Sequence, residues 1–332
     1  MPSLLTSSSI PQLALCPFDN PEADLILRSS DSHPTDYRVF KLLLSLSSPF
    51  FSVLFTLPQP KASKYSSSKV IQDEIPVVQM AEDREVLDIL LGFCYPLSAH
   101  SLPSFSSLAI LQRVADASLK FEMDGILRHV RQELVSPRFL ETQPIRVYAL
   151  AYHYGWVEEM KLAARDTLRH SMPGPYVPEL KGVSPAAYHR LQQYHRLCGE
   201  VAESRVLIQQ VAIAPDDDWI WSTCRSCPGI STPCMMGSTN RAGKGSRPVN
   251  SVVYVRKWWS DWLHETAAQF RARPRGDCAR NIPIMAKAVA RAGGCPTCGK
   301  VAKGELESFA GALSAQVEKD LYSIELDLGI DE

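Results

Sequence analysis

Residues 40–55 read FKLLLSLSSPFFSVLF, and ten of these sixteen residues are large and apolar. Three fates are open to such a run: a membrane, a helical core, or an interface between chains. A spanning helix needs about 20 predominantly apolar residues. This run opens next to Lys41, is broken by Ser45, Ser47, Ser48 and Pro49, and ends before Leu57-Pro58-Gln59-Pro60-Lys61. Proline has no N–H and clashes with the preceding turn, so the helix cannot continue there. The membrane reading fails. The Ser47-Ser48-Pro49 step instead predicts two short helices, the second opening on Pro49.

The surroundings give the run its context. DLILRS from Asp24 alternates apolar and polar residues as a strand does, SDSHPTD is a cluster of turn formers, and Tyr37, Val39 and Phe40 suggest a second strand. A hairpin therefore leads into the apolar run. Leu42, Leu43 and Leu46 read as core. Phe50, Phe51, Val53, Leu54 and Phe55 are five large apolar residues in six positions. One helical stripe covers only part of the circumference, so it cannot bury them all within its own domain. Either a partner covers the surplus or a shell of helices in the same chain does.

A polar loop follows at 58–69, then a strand in VIQDEIPVVQ and helices in REVLDILLGFCY, SSLAILQRVADASL and GILRHVRQELV, with Asp124 as an N-cap for the last. These elements resemble a BTB/POZ domain, and closely the BTB proteins of mushroom-forming fungi. The likeness rests on ADLILRSSD, DYRVFKLLLSLSSPFFSVLFTLPQP, REVLDILLGFCYP and ADASLKFEMDGIL, and covers roughly residues 20–135. It extends with less functional content to PIRVYALAYHYGWVEEMKLAARDTL, the Trp258-Trp259 pair and the CPTC step.

The resemblance implies a non-catalytic dimerisation and adaptor module. It places Asp24 and Lys41 at a charged pocket beside a homodimer seam. The apolar surplus of the second helix, independently of the resemblance, makes Phe50, Phe51, Leu54 and Phe55 the expected dimer or partner interface. This chain departs from the family in having Phe40 where a histidine is frequent. Some members engage cullin scaffolds of ubiquitin ligases through a hydrophobic-x-acidic motif after the helix. Here that place reads Leu57-Pro58-Gln59, without the acid, which puts a cullin partner in doubt.

The chain has 332 residues, a net charge of −1 and an apolar content of 45%. These values suit a globular protein of two or three domains and name no partner. The first thirty residues lack a basic n-region and contain Pro11 and Pro17, unlike a secretory signal. An intracellular protein of cytoplasm or nucleus is expected. The expected architecture is α+β and mostly helical. It comprises a flexible segment 1–19, the BTB/POZ-like domain 20–135, a helical extension 136–214, and a Cys/Trp-containing region 215–332 that closes on a long amphipathic helix. That helix carries Leu306, Phe309, Leu313, Val317, Leu321, Ile324 and Leu328 at steps of three or four.

Six of nine cysteines lie between 224 and 298. Cys224-Arg-Ser-Cys227 and Cys295-Pro-Thr-Cys298 are two CxxC pairs, each able to deliver two thiolates to one ion from a tight turn. Gly299 suits a turn with positive φ behind the second pair. The interval between the pairs far exceeds the roughly 15–20 residues of a compact zinc site. A structural zinc and a set of reduced, partly buried thiols both remain open, with Cys234 and Cys278 as substitutes or neighbours. A redox CxxC is disfavoured because neither pair sits in a βαβ pattern. No other cofactor is required.

Residues 238–303 hold 13 Lys or Arg against Asp261, Glu265 and Asp277, with Trp258, Trp259 and Trp262 among them. Basic and aromatic residues together could bind nucleic acid, which makes a nucleic-acid-binding regulator the alternative function. The favoured reading is internal or solvated charge, because residues 305–332 carry eight acids and one lysine. GSTNRAGKGS misses the P-loop spacing by one residue, and in His264-Glu265-x-x-Ala268 the second histidine of a metalloprotease motif is absent. No catalytic residues are assigned. The expected function is protein–protein interaction with an unidentified partner and homodimerisation, without membrane or nucleic acid.

Overall fold

A computed structural model describes residues 10–57, 75–96, 100–208, 219–227, 231–236 and 251–329. The P-loop-like stretch 237–246, and Pro58 and Gln59 of the cullin-motif position, lie outside the described residues. The fold is mostly helical with a small mixed sheet, an α+β arrangement. The chain divides into two compact units, Met1–Phe139 and Leu140–Glu332.

The first unit opens with β1 (Gln12–Leu13), β2 (Leu25–Arg28) and β3 (Thr35–Val39). β2 and β3 form the expected antiparallel hairpin with Leu25 opposite Val39. Alternation buries Leu25, Leu27, Tyr37 and Val39 on one face. Arg28 and Asp36 pair at 2.7 Å on the other. Two helices follow, α1 (Lys41–Ser47) and α2 (Pro49–Thr56). They lead to β4 (Val77–Gln79), which lies parallel to β2, giving the sheet order β1-β3-β2-β4. Helices α3 (Arg84–Cys94), α4 (Leu108–Lys120) and α5 (Asp124–Leu134) complete the unit. Leu87, Leu90, Leu111, Val114, Val130 and Leu134 form their buried faces.

Two local expectations change. Residues 1–19 are not uniformly loose. Gln12 and Leu13 pair with Thr35 and Asp36, Ala14 and Phe18 are buried, and Arg38 N–H donates to the Phe18 carbonyl at 2.9 Å. Asp124 is not the cap of α5 but its first residue, after Met123. There its carboxylate still faces the positive end of the helix dipole.

After α6 (Pro137–Leu140) at the boundary, the second unit contains α7 (Pro144–His153), α8 (Val157–Thr167), α9 (Pro185–Ile208) and α10 (Ile220–Thr223). The hairpin β5 (Ser231–Met236)–β6 (Ser251–Arg256) comes next. Then follow α11 (Lys257–Ala272), α12 (Ile282–Ala292) and α13 (Cys298–Tyr322).

The sequence suggested a helical extension distinct from the Cys/Trp region, but the two fold as one unit. A Cβ on Gly199 of α9 would meet the Arg271 carbonyl of α11 at 2.9 Å, so glycine permits that close approach. Arg205 of α9 pairs with Asp320 of α13 at 2.6 Å, and Arg190 donates to the Leu328 carbonyl at 2.9 Å. The terminal helix starts earlier than its apolar spacing suggested, at Cys298, and stops before Ile324. Its buried line is Ala302, Leu306, Phe309, Leu313, Val317 and Leu321. Among the described residues no helix is long and apolar enough to cross a membrane.

Candidate functional site

The apolar run resolves into an inner and an outer face. Ser48 ends α1 and caps α2. Its hydroxyl accepts from Phe51 N–H at 3.1 Å and donates to the Phe121 carbonyl at 2.5 Å. With Pro49 at the first helical position, that cap sets the phase of α2. Phe51 turns inward and is 3% exposed, stacked on Phe121 at 5.1 Å and on Phe55 at 5.7 Å. Phe51 is therefore a core residue and not an interface residue. Leu54 and Phe55 lie on the same side at i+3 and i+4 and are half-buried. Phe50, Val53 and Leu57 follow one another at i, i+3 and i+7 on the outer side and are exposed. Phe50 retains a tilted contact with Phe121 at 5.6 Å.

Of the three leucines of α1 expected in the core, Leu42 and Leu46 are exposed and Leu43 is half-buried. Leu44 is fully buried, whereas Leu42 is 68% and Leu46 is 76% exposed. A seven-residue helix has one inward-pointing position per turn, and Leu44 and Ser48 take it. Leu42 and Leu46, one turn apart, share the outer face. Their i, i+4 spacing was visible in the sequence; which side of the helix faced the core was not. Asp24 and Lys41 do come together: Asp24 Oδ1 accepts the Lys41 backbone N–H at 2.8 Å. Phe40, the helix cap position, offers no side-chain acceptor. Asp24 thus supplies from the start of β2 the acceptor that an Asn, Ser or Asp would supply at the cap.

In the second unit, Cys224, Cys227, Cys295 and Cys298 converge, with all four sulfurs within 4.8 Å of one another. Cys224 closes α10, Cys295 follows α12 and Cys298 opens α13. Cys224 Sγ is 3.7 Å from Cys295 Sγ, and Cys227 Sγ is 3.7 Å from Cys298 Sγ. A disulfide would hold the sulfurs at about 2.05 Å. Four thiolates at about 2.3 Å from one tetrahedral ion lie about 3.8 Å apart. The donor set therefore fits a four-coordinate metal ion. All four positions are protein sulfur, the closed arrangement of structural sites.

Electrostatics set Cys295 apart from Cys227 and Cys298. Backbone N–H groups of Cys298 and Thr297 bring the Cys295 thiol down to about 7. Burial pushes Cys298 up, aided by its Cys224 and Cys227 neighbours, and burial also raises Cys227. A cation among them would reverse that upward pressure. Gly299 has no positive φ; it is helical. Its role is space, since a Cβ there would stand 3.2 Å from the Gly293 Cα. Cys278 is not part of the group, because its thiol donates to the Arg273 carbonyl at 3.1 Å.

No family model matches this chain, and no curated protein matches it.

Beneath the cysteines lies an indole column. Trp219, Trp221, Trp259 and Trp262 are stacked in that order, at centroid distances of 4.6, 3.7 and 4.9 Å. Phe309 of α13 stands edge-on to all four. Trp258, Trp259 and Trp262 are buried against one another and present no ring face on which a base could stack. Five basic residues of this region meet acids among the described residues. Lys257 meets Asp261 at 2.8 Å, and Lys287 meets Glu265 at 2.8 Å. Arg291 reaches both acids, Arg271 meets Glu203 at 2.5 Å, and Arg275 meets Glu318 at 3.5 Å. Most of this neutralisation comes from within α11 and from α9; the terminal helix contributes Glu318.

A cavity of about 340 Å³ in the first unit has Cys16, Arg84, Asp88 and His100 among its lining residues. His100 Nδ1 is engaged by the Ser101 carbonyl at 2.7 Å, and no hydrogen bond joins it to Cys16. A nucleophile is activated by a base within hydrogen-bond reach, and that pairing is not made here.

Proposed function

We propose that this chain is a non-catalytic protein–protein interaction protein whose first unit is a BTB/POZ-like dimerisation module. Its second unit, on this reading, is an adaptor body held by a structural zinc. The element order supports the module. A hairpin feeds two short helices split at Ser48-Pro49, a further strand returns to the sheet, and three helices follow it in the chain.

The observation that carries the reading is the outer row of Leu42 and Leu46, 68% and 76% exposed, on a helix fixed by the hairpin. Adjacent α2 adds Phe50 and Val53, and Leu57 follows as its C-cap. Single exposed leucines are ordinary, whereas two consecutive helices with apolar outer rows mark an interaction surface. A second copy is the proposed occupant. The row is uncharged and repetitive along one short helix, so its copy can meet it across a two-fold axis. Asp24 and Lys41 flank the row at the base of α1.

For the second unit, zinc is the ion proposed, because it takes four thiolates without geometric demands of its own. The zinc would tie α10, α12 and α13 above the indole column. Co-expression of two differently tagged copies tests the module. Wild-type copies are expected to purify together, and copies carrying Leu42→Asp and Leu46→Asp are expected to separate.

A further inference from the structure

We propose that the cysteine group is also a site of oxidative modification, at which a peroxide joins the two knuckles through crossed disulfides, Cys224–Cys295 and Cys227–Cys298. The inference stands on the sulfur positions and goes beyond the metal reading, because it holds with or without a resident ion. Among the described residues, the sulfur–sulfur contacts of the group run between the knuckles, from Cys224 to Cys295 and from Cys227 to Cys298, each at 3.7 Å. Closing either contact to a disulfide of about 2.05 Å moves each sulfur by only about 0.8 Å. The pairing thus differs from a redox CxxC, in which the bond forms inside one knuckle. Cys278 does not compete, because its thiol is held by the Arg273 carbonyl.

Access sets the order. Cys224, Cys295 and Cys298 are 3%, 1% and 0% exposed, whereas Cys227 is half-buried. Peroxide therefore reaches Cys227 first. The Cys227 thiolate attacks one peroxide oxygen; an S–O bond forms as the O–O bond breaks, and hydroxide leaves. The Cys298 thiolate then attacks the sulfenic sulfur; an S–S bond forms as the S–O bond breaks, and a second hydroxide leaves. Two electrons pass from sulfur to one peroxide molecule. The two thiolates left are too few for a four-coordinate ion, so a bound metal departs, and Cys224 and Cys295 meet a second peroxide in the same pair of steps. Each bond spans 71 positions of chain. It therefore keeps closed the loop that runs through β5–β6, α11 and α12. A disulfide inside either knuckle would leave that loop untied.

The test uses the full wild-type chain, with hydrogen peroxide as the probe. Residual thiols are blocked with N-ethylmaleimide, and non-reducing tryptic digestion with tandem mass spectrometry reads the pairing. Cleavage after Arg225 parts Cys224 from Cys227, and fragmentation before Pro296 parts Cys295 from Cys298. Both crossed linkages are expected, with Cys227–Cys298 appearing first in a time course and dithiothreitol reversing both. Bound metal is expected to reach a chromogenic chelator in step with the first linkage. Near-UV circular dichroism of the stacked indoles is expected to persist in the oxidised chain. Any other pairing of the four cysteines, sulfinic or sulfonic acids without a crossed linkage, or loss of the indole signal on oxidation would each overturn the inference. A chain that holds no metal yet forms both crossed linkages would contradict the metal reading and support this one. A chain that holds metal and forms its bonds inside the knuckles would overturn this inference alone.

Discussion

Cys224 and Cys295 lie 71 positions apart in the chain, and their sulfurs are 3.7 Å apart in the fold. Each CxxC knuckle is local, but the site exists only when the start of the region is brought back to its end. The hairpin β5–β6, α11 and α12 are the intervening structure that closes it. A metal there stabilises the folded chain by as much as its affinity for the folded exceeds that for the unfolded form.

The first prediction is metal stoichiometry. Protein purified without added zinc is expected to carry one zinc per chain by elemental analysis. Cys295→Ser together with Cys298→Ser is expected to abolish it and to lower the thermal midpoint of the second unit. Because Cys227 and Cys298 hold their protons above the ordinary thiol range, loading must expel protons. Affinity is therefore expected to rise with pH across the neutral range and to fall on acidification. A competition titration with a chromogenic chelator at several pH values measures this.

A second prediction separates two adjacent phenylalanines. Phe51→Ala removes a buried ring from between Phe55 and Phe121 and is expected to cost about 3–5 kcal/mol. Phe50→Ala, at the exposed neighbour, is expected to cost less than about 1.5 kcal/mol in the isolated chain while weakening self-association. Urea denaturation of the two variants gives the comparison.

Ser48 carries the third. It is fully buried, caps α2 and bonds the Phe121 carbonyl. Ser48→Ala loses the cap and leaves a buried carbonyl without that donor, at an expected cost of about 2–3 kcal/mol. Ser48→Thr keeps the hydroxyl but adds a methyl group at a closed position, so it is expected to recover part of the stability. Denaturant midpoints resolve the order wild type, Thr, Ala.

Much of this architecture was legible because it is local. Alternation in DLILRS and the turn formers after it specify the hairpin, and Ser48-Pro49 specifies the helix break. The two CxxC pairs name the four cysteines that converge. What was not legible depends on direction. The pattern of α1 permits either leucine row to face inward, and only the folded unit shows that Leu44 does. Phe51 and Phe50 are chemically identical, and the cap at Ser48 decides which is inside. The merging of 136–214 with the Cys/Trp region was also hidden: Gly199, Arg205 and Arg190 meet partners on distant helices.

The central claim is that α1 presents its outer leucines to a second copy of the chain. Light scattering coupled to size-exclusion chromatography, run across a dilution series, tests it most directly. The account predicts twice the 36.9 kDa of one chain at micromolar concentration. It predicts one chain mass for the folded Leu42→Asp, Leu46→Asp variant. A wild-type chain that stays at 36.9 kDa at high micromolar concentration, or a doubly substituted variant that remains a dimer, would contradict it.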